Sequence, residues 1–149
     1  MNLCSLTCIG FLMALLAISN SYGCTCSIAV NRTIKESIES TPAVFTGTVL
    51  AESYADLGAG QMRAYLIKVK KIFKGNVRPD TVVVLTNLNE ASCGIRFKVH
   101  SKIVVFSTAN LKGDKPINEH RFFETNICTR SGLYKEAYSK QLSAAIRSQ

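Results

Sequence analysis

Hydrophobic and polar positions change their period several times along the 149-residue chain, and each change marks an element. Residues 9–18 (IGFLMALLAI) are apolar throughout. Ile34 and Ile38 stand four apart with Lys35, Glu36 and Glu39 between them, the spacing of a short amphipathic helix ending before Pro42. The run 44–50 (VFTGTVL) is rich in β-formers, and Gly47 within it marks a bulge or a close backbone approach. Residues 55–60 (ADLGAG) read as a turn or loop. A long strand is predicted over 62–73, with Tyr65, Ile67 and Val69 on one face. Lys74-Gly75-Asn76 turns the chain, and 81–86 (TVVVLT) has the pattern of a strand buried on both sides.

Over 95–103 the period is two. Ile95, Phe97, Val99 and Ile103 fall on one face and Arg96, Lys98, His100 and Lys102 on the other, which predicts a strand with a basic outer side. The apolar run continues through 103–106, and 117–123 is a further candidate strand after the Lys112-Gly113-Asp114 turn. Leu133, Ala137, Tyr138, Leu142, Ala145 and Ile146 have helical spacing over 133–146. Five or so strands, Gly-containing turns and flanking helices predict a mainly β protein built as a small, partly open barrel. No internal repeat, low-complexity tract or linker divides it, so one domain is expected.

The apolar run near the start changes the picture of compartment. Ser21 and Gly23 are small residues at the third and first positions before Cys24, so 1–23 reads as a signal peptide and 24–149 as a secreted, extracellular domain. The run is shorter than the roughly 20 apolar residues a membrane span needs. An uncleaved anchor or a buried helix is the competing reading, and the region ahead of the run is atypical in having no Lys or Arg. No other apolar stretch approaches spanning length, so no membrane span is expected.

All 18 basic and 10 acidic residues lie beyond the leader, giving a net charge of +8. A secreted basic surface tends to meet polyanions such as sulfated glycans of the extracellular matrix; the plainer reading is a charged surface that only maintains solubility. Nucleic acid is not an expected partner. Of six cysteines, Cys4 and Cys8 leave with the leader. Cys24, Cys26, Cys93 and Cys128 form an even set in an oxidising compartment, so two disulfides are expected. A Cys24–Cys26 bridge would close a strained ring, which leaves two pairings, both tying the new N-terminus to distant chain. Such a loop is worth roughly 4 kcal/mol in unfolded-chain entropy.

Most catalytic constellations are missing. His100 and His120 are the only histidines and have no metal-binding spacing, and no nucleophile elbow, P-loop or dinucleotide fingerprint occurs. The chain is therefore not expected to be an enzyme or to carry a cofactor of its own. What remains is Cys24-Thr25-Cys26. In an extended segment the first and third side chains point together and the second points away, so both cysteines can be pinned while Thr25 faces outward. The α-amino nitrogen and carbonyl oxygen of Cys24 could close a five-membered chelate ring on a metal. An α-amino group with an ordinary pKa of about 7.7–8.0 gives up its proton readily to a metal near neutral pH. Catalytic zinc keeps one position for water, which such a terminus could take.

A mature chain opening Cys-Thr-Cys directly after a signal peptide resembles the tissue inhibitors of metalloproteinases. The Cys24-to-Cys93 interval is similar to that of the family's first disulfide, Glu90-Ala91-Ser92-Cys93-Gly94 resembles the segment around its second cysteine, and 69–75 (VKKIFKG) resembles the netrin-like module. The resemblance implies an OB-fold-like five-stranded barrel, with bridges Cys24–Cys93 and Cys26–Cys128. It implies a protein inhibitor of zinc metalloendopeptidases, of the matrix metalloproteinase or a related class. Cys24 would chelate the protease zinc through its backbone amine and carbonyl, beside the anchored Cys26. Thr25 would enter the S1′ pocket, and Glu90, Ala91 and Ser92 would form the supporting ridge. The family's third N-domain disulfide and its cysteine-rich C-terminal domain have no counterpart. Ser27-Ile28-Ala29-Val30 also stands where a Pro-containing stretch is usual.

Asn31-Arg32-Thr33 is an N-glycosylation sequon close to Cys26. The rival function is a netrin-like extracellular binding module without protease inhibition. Such a module would use Arg96, Lys98, His100 and Lys102, with Lys68, Lys70, Lys71 and Lys74, to hold sulfated glycans or a receptor.

Overall fold

The computed structural model describes residues 23–26, 32–56, 58, 60–78, 80–111 and 121–147. Residues 1–22 of the expected leader, Asn31 of the sequon, the 27–30 segment and the turn at 112–114 lie outside the described residues.

A six-residue helix is far too short to persist alone, yet α1 (Ile34–Glu39) forms because its start is capped and its inner face is buried. Thr33 accepts from the Glu36 backbone N–H, and the Glu36 carboxylate accepts from Thr33 N–H at 2.7 Å, a reciprocal capping box. These bonds hold the Glu36 carboxyl below its ordinary pKa, with the Thr33 backbone bond the largest cause.

Strands β1 (Ala43–Asp56) and β2 (Gln61–Lys74) make a long antiparallel hairpin. Strand β1 thus runs through the stretch read as the start of a loop: cross-strand pairing carries it as far as Asp56, opposite Gln61. At Gly47 the strands approach so closely that a Cβ would sit 2.6 Å from the Lys68 carbonyl oxygen. The register shifts at that point, and only glycine fits. Strand β3 (Thr81–Thr86) pairs antiparallel with β2, and β4 (Lys102–Ser107) pairs antiparallel with β1. Strand β5 (Ala109–Leu111) pairs with β6 (Arg121–Glu124), which runs parallel to β3. Strand β7 (Gly132–Leu133) edges β4. The seven-stranded order is β5-β6-β3-β2-β1-β4-β7. Thr108 alone separates β4 from β5, and its N–H donates to the Glu124 carbonyl at 2.8 Å.

Both faces of the central strands are buried, by different partners. Phe45, Val49, Tyr65, Ile67, Val82, Val84, Ile103, Val105 and Phe123 form the main core, with the Phe45 and Phe123 rings 5.2 Å apart. The alternate residues Val44, Val104 and Phe106 meet Ile38 of α1 and Leu142 of the C-terminal helix α2 (Glu136–Arg147). Among the described residues the protein is mainly β with two flanking helices. Among the described residues no helix is long and apolar enough to cross a membrane.

Two elements differ from the sequence expectation. The 95–101 segment is not a strand, although Phe97 is buried and Ile95 and Val99 pack on the core while Arg96, Lys98 and His100 are exposed. Its backbone turns at Lys98–Ser101, with His100 in the left-handed region at φ 67°, so the predicted basic strand face is an extended loop that reaches β4 only at Lys102. The C-terminal helix starts at Glu136, because Gly132 and Leu133 pair with Val104 and Ile103. Leu133 is consequently 66% exposed instead of helical. Of the candidate strand 117–123, residues 121–123 belong to β6, which runs on to Glu124, and the first part lies outside the described residues.

Candidate functional site

Cys24-Thr25-Cys26 is fastened to two neighbouring loops. Cys24 is bonded to Cys93 and Cys26 to Cys128, with Cα separations of 5.1 and 5.2 Å. This is the pairing the family resemblance implies. The two bridges touch, Cys24 Sγ lying 3.7 Å from Cys128 Sγ. Both cysteines are half-buried and Thr25 between them is exposed, the alternation expected of an extended tripeptide. The sulfurs of Cys24, Cys93 and Cys128 cluster within 4.8 Å. All three are oxidised, however, and the ligand form of cysteine is the thiolate, so they are a covalent knot and not a metal centre. Cys24 offers a metal-binding amine only once Gly23 is removed; with Gly23 attached its nitrogen is an amide.

The loop that receives Cys24 is built by its own polar residues. Glu90–Ser92 form a single 3₁₀ turn capped by Asn89, whose side-chain oxygen accepts from Ser92 N–H at 2.9 Å. Asn87 donates to the Ser92 carbonyl, and Gly94 N–H donates to the Asn89 carbonyl at 2.7 Å. A Cβ at Gly94 would lie 2.1 Å from the Asn87 carbonyl oxygen, so no other residue lets this loop fold back so tightly. Cys93 itself takes the left-handed conformation, φ 65°, which non-glycine residues seldom adopt. Glu90, Ala91 and Ser92 are all exposed.

The second receiving loop is tied to the first. Ile127 N–H donates to the Cys93 carbonyl at 3.0 Å, and Cys128 N–H to the Asn126 side chain at 2.9 Å. Both loops hang from the end of β3: Thr86 Oγ1 accepts from Ile95 N–H at 3.0 Å, and the Leu85 carbonyl from Thr125 N–H at 2.9 Å. The tripeptide is thereby carried on the sheet itself.

Arg63 contributes a support that the sequence reading passed over. It stands in phase with Tyr65, Ile67 and Val69, on the inward register of β2, and is only 7% exposed. Its guanidinium pairs with Glu52 and donates to the Leu88 carbonyl at 3.0 Å, leaving Nε without a partner among the described residues. Burial opposes its charge, but the Glu52 hydrogen bond and attraction outweigh that cost and hold the guanidinium protonated above its ordinary range. An arginine at an inward position was the available signal.

The candidate glycan contacts are divided. Arg96 and Lys98 are exposed on the loop before β4, and Lys102 is exposed at the first position of that strand. Comparison with protein-family models finds no match, and comparison with curated proteins finds none.

Proposed function

We propose that the protein is a secreted inhibitor of zinc metalloendopeptidases that acts through the freed amine and carbonyl of Cys24, and that it is not an enzyme. The observation that supports this reading is the Cys24-Thr25-Cys26 segment, clamped at both cysteines with Thr25 exposed between them. A chelating terminus that frayed would lose to water at the zinc; one held by two bridges keeps its position without help from the target. Glu90, Ala91 and Ser92, on the turn that precedes Cys93, would meet the protease beside it. The inhibitor contributes no metal or cofactor of its own, and the zinc it contacts belongs to the protease.

The sheet is in this reading an OB-type barrel of the netrin-like kind. Supporting it are the parallel β3–β6 pair and the near-continuous β4–β5 stretch, bonded to β1 at one end and to β6 at the other. The Thr125 hydroxyl also donates to the Phe106 carbonyl at 3.0 Å, between the end of β6 and β4.

The test uses protein secreted with its own leader. Peptide mass analysis should find Cys24 as the first residue, and inhibition should be measured against a panel of purified zinc metalloendopeptidases. One alanine added ahead of Cys24 turns the amine into an amide and should abolish inhibition with both disulfides intact. Thr25→Gly keeps the chelate but loses the pocket group, weakening inhibition roughly tenfold to a hundredfold. Full inhibition by the extended form would rule out terminal chelation.

A further inference from the structure

Register calls for an apolar side chain at position 63, and the chain places a charge there. Tyr65, Ile67 and Val69, in phase with Arg63 on β2, are core residues, whereas Arg63 is buried with its Nε unpartnered among the described residues. Replacing a buried ion pair by a well-packed apolar side chain is often neutral or stabilising. The use of the guanidinium therefore lies in what it touches.

It touches three separate groups. Tyr54 stands directly opposite Arg63 in the β1–β2 ladder, its ring centre 5.6 Å from the guanidinium carbon. Glu52, two residues back along the same face of β1, forms the ion pair. The Leu88 carbonyl accepts from the guanidinium at 3.0 Å.

The parts on either side of this cluster need holding. Strand β4 begins at Lys102, opposite Thr48, so from Leu50 onward β1 has no described ladder partner but β2. Strand β3 ends at Thr86, opposite Arg63 itself. Ala55 and Asp56 consequently pair only with Met62 and Gln61 among the described residues. An overhanging two-stranded ladder of this kind is marginal by itself. On the other side, Leu88 directly precedes Asn89, whose side chain accepts from Ser92 N–H and whose carbonyl accepts from Gly94 N–H. Those two bonds set the 90–92 turn.

We infer that Arg63 is the positioning residue of the docking edge: it fastens the overhanging hairpin end to the loop that carries Cys93, and so holds the 90–92 turn in one stance beside Cys24. The planar, forked guanidinium meets the Glu52 carboxylate and the Leu88 carbonyl at once, which the single ammonium of a lysine does not reproduce. The inference rests on the inhibitor reading for what the turn docks against, but its account of how the turn is ordered does not.

The experiment compares Arg63→Met and Arg63→Lys with the wild type as disulfide-intact secreted proteins. Amide hydrogen exchange is followed by NMR, and inhibition is measured against a purified zinc metalloendopeptidase. In Arg63→Met the Ser92 and Gly94 amides should exchange about tenfold faster, the equivalent of one hydrogen bond from a charged donor. Inhibition should weaken by a similar factor, while the amides of β3, which open only with the whole fold, keep their wild-type rates. Arg63→Lys should resemble Arg63→Met. Equal acceleration in β3 and in the turn would make Arg63 a general support of the fold, and wild-type behaviour of Arg63→Lys would mean that charge alone suffices; either result overturns the inference. Faster exchange in the turn with undiminished inhibition would overturn it as well, by removing the turn from docking. Exchange is read without protease, so a wild type that inhibits nothing would sink the proposed function and leave the exchange rates to decide what Arg63 does to the turn.

Discussion

The loops at 87–94 and 125–131 and the helix-covered face over Val44, Val104 and Phe106 are held down in opposite ways. The loops rest on two disulfides and a set of polar bonds from Asn87, Asn89, Thr86 and Asn126. The helices rest on burial: Ile38 and Leu142 are almost wholly enclosed against the strands. Burial hides whatever it fixes. Covalent and polar fastening does not, and so Thr25, Glu90, Ala91 and Ser92 can be immobilised and still face solvent. A surface meant to dock against another molecule gains from the second arrangement, since little ordering remains to be done on binding.

The largest effect is expected from removing the first bridge. Cys24→Ser with Cys93→Ser opens a loop whose closure is worth about 4 kcal/mol, and urea unfolding should register a loss of that order. Inhibition should be lost with it. Inhibition that survived would mean that polar bonds alone can position the terminus.

Phe106→Ala attacks the other region. It empties the space beneath α2, where its ring lies 6.5 Å from that of Tyr138, and should cost about 3–5 kcal/mol in the same unfolding measurement. The inhibition constant of the remaining folded protein should be unchanged. A parallel loss of inhibition would show that the two regions are mechanically coupled, contrary to the contrast drawn above.

Gly94→Ala sharpens the comparison at its tightest point. The added methyl meets backbone at 2.1 Å, and the loop must shift at a cost of about 1–3 kcal/mol. Inhibition should weaken although both bridges still form, as seen by mass analysis of the non-reduced protein. Unchanged inhibition would free the 90–92 turn from any part in docking.

The smallest effect concerns α1. Because the Glu36 carboxyl titrates below its ordinary value of 4.5 in the folded protein, its contribution is present above that value and is lost as pH falls through the lowered one. Thermal unfolding of the wild type should therefore decline more steeply with acidification than that of Glu36→Gln. Identical slopes would mean that the carboxylate adds nothing to the cap.

Period-two patterning made β2 legible, since it carries Tyr65, Ile67 and Val69 inward at every second position, and a continuous apolar run made β3 legible, since 81–86 coincides with it. The same signal misled at 95–101. Alternation records which side chains face the core, and Phe97 does, but it cannot say whether the backbone finds a ladder partner. There Phe97 N–H finds the Tyr65 hydroxyl instead, at 3.1 Å. Leu133 shows the converse error: helical spacing extended to it by coincidence, while β4 claimed its backbone.

At the candidate site the chemistry was written locally and the architecture was not. The Cys-Thr-Cys tripeptide, the apolar run ahead of it and the cysteine count are contiguous or countable, so the chain alone announces them. Arg63 reaching Leu88, Ile127 bonding Cys93, and Lys68 and Lys102 meeting across Thr48 join residues far apart in sequence. Such partners are chosen by register and loop closure, which belong to the folded sheet as a whole. Tertiary structure alone therefore decided which loops carry the Cys24-Thr25-Cys26 tripeptide and which charges stand together.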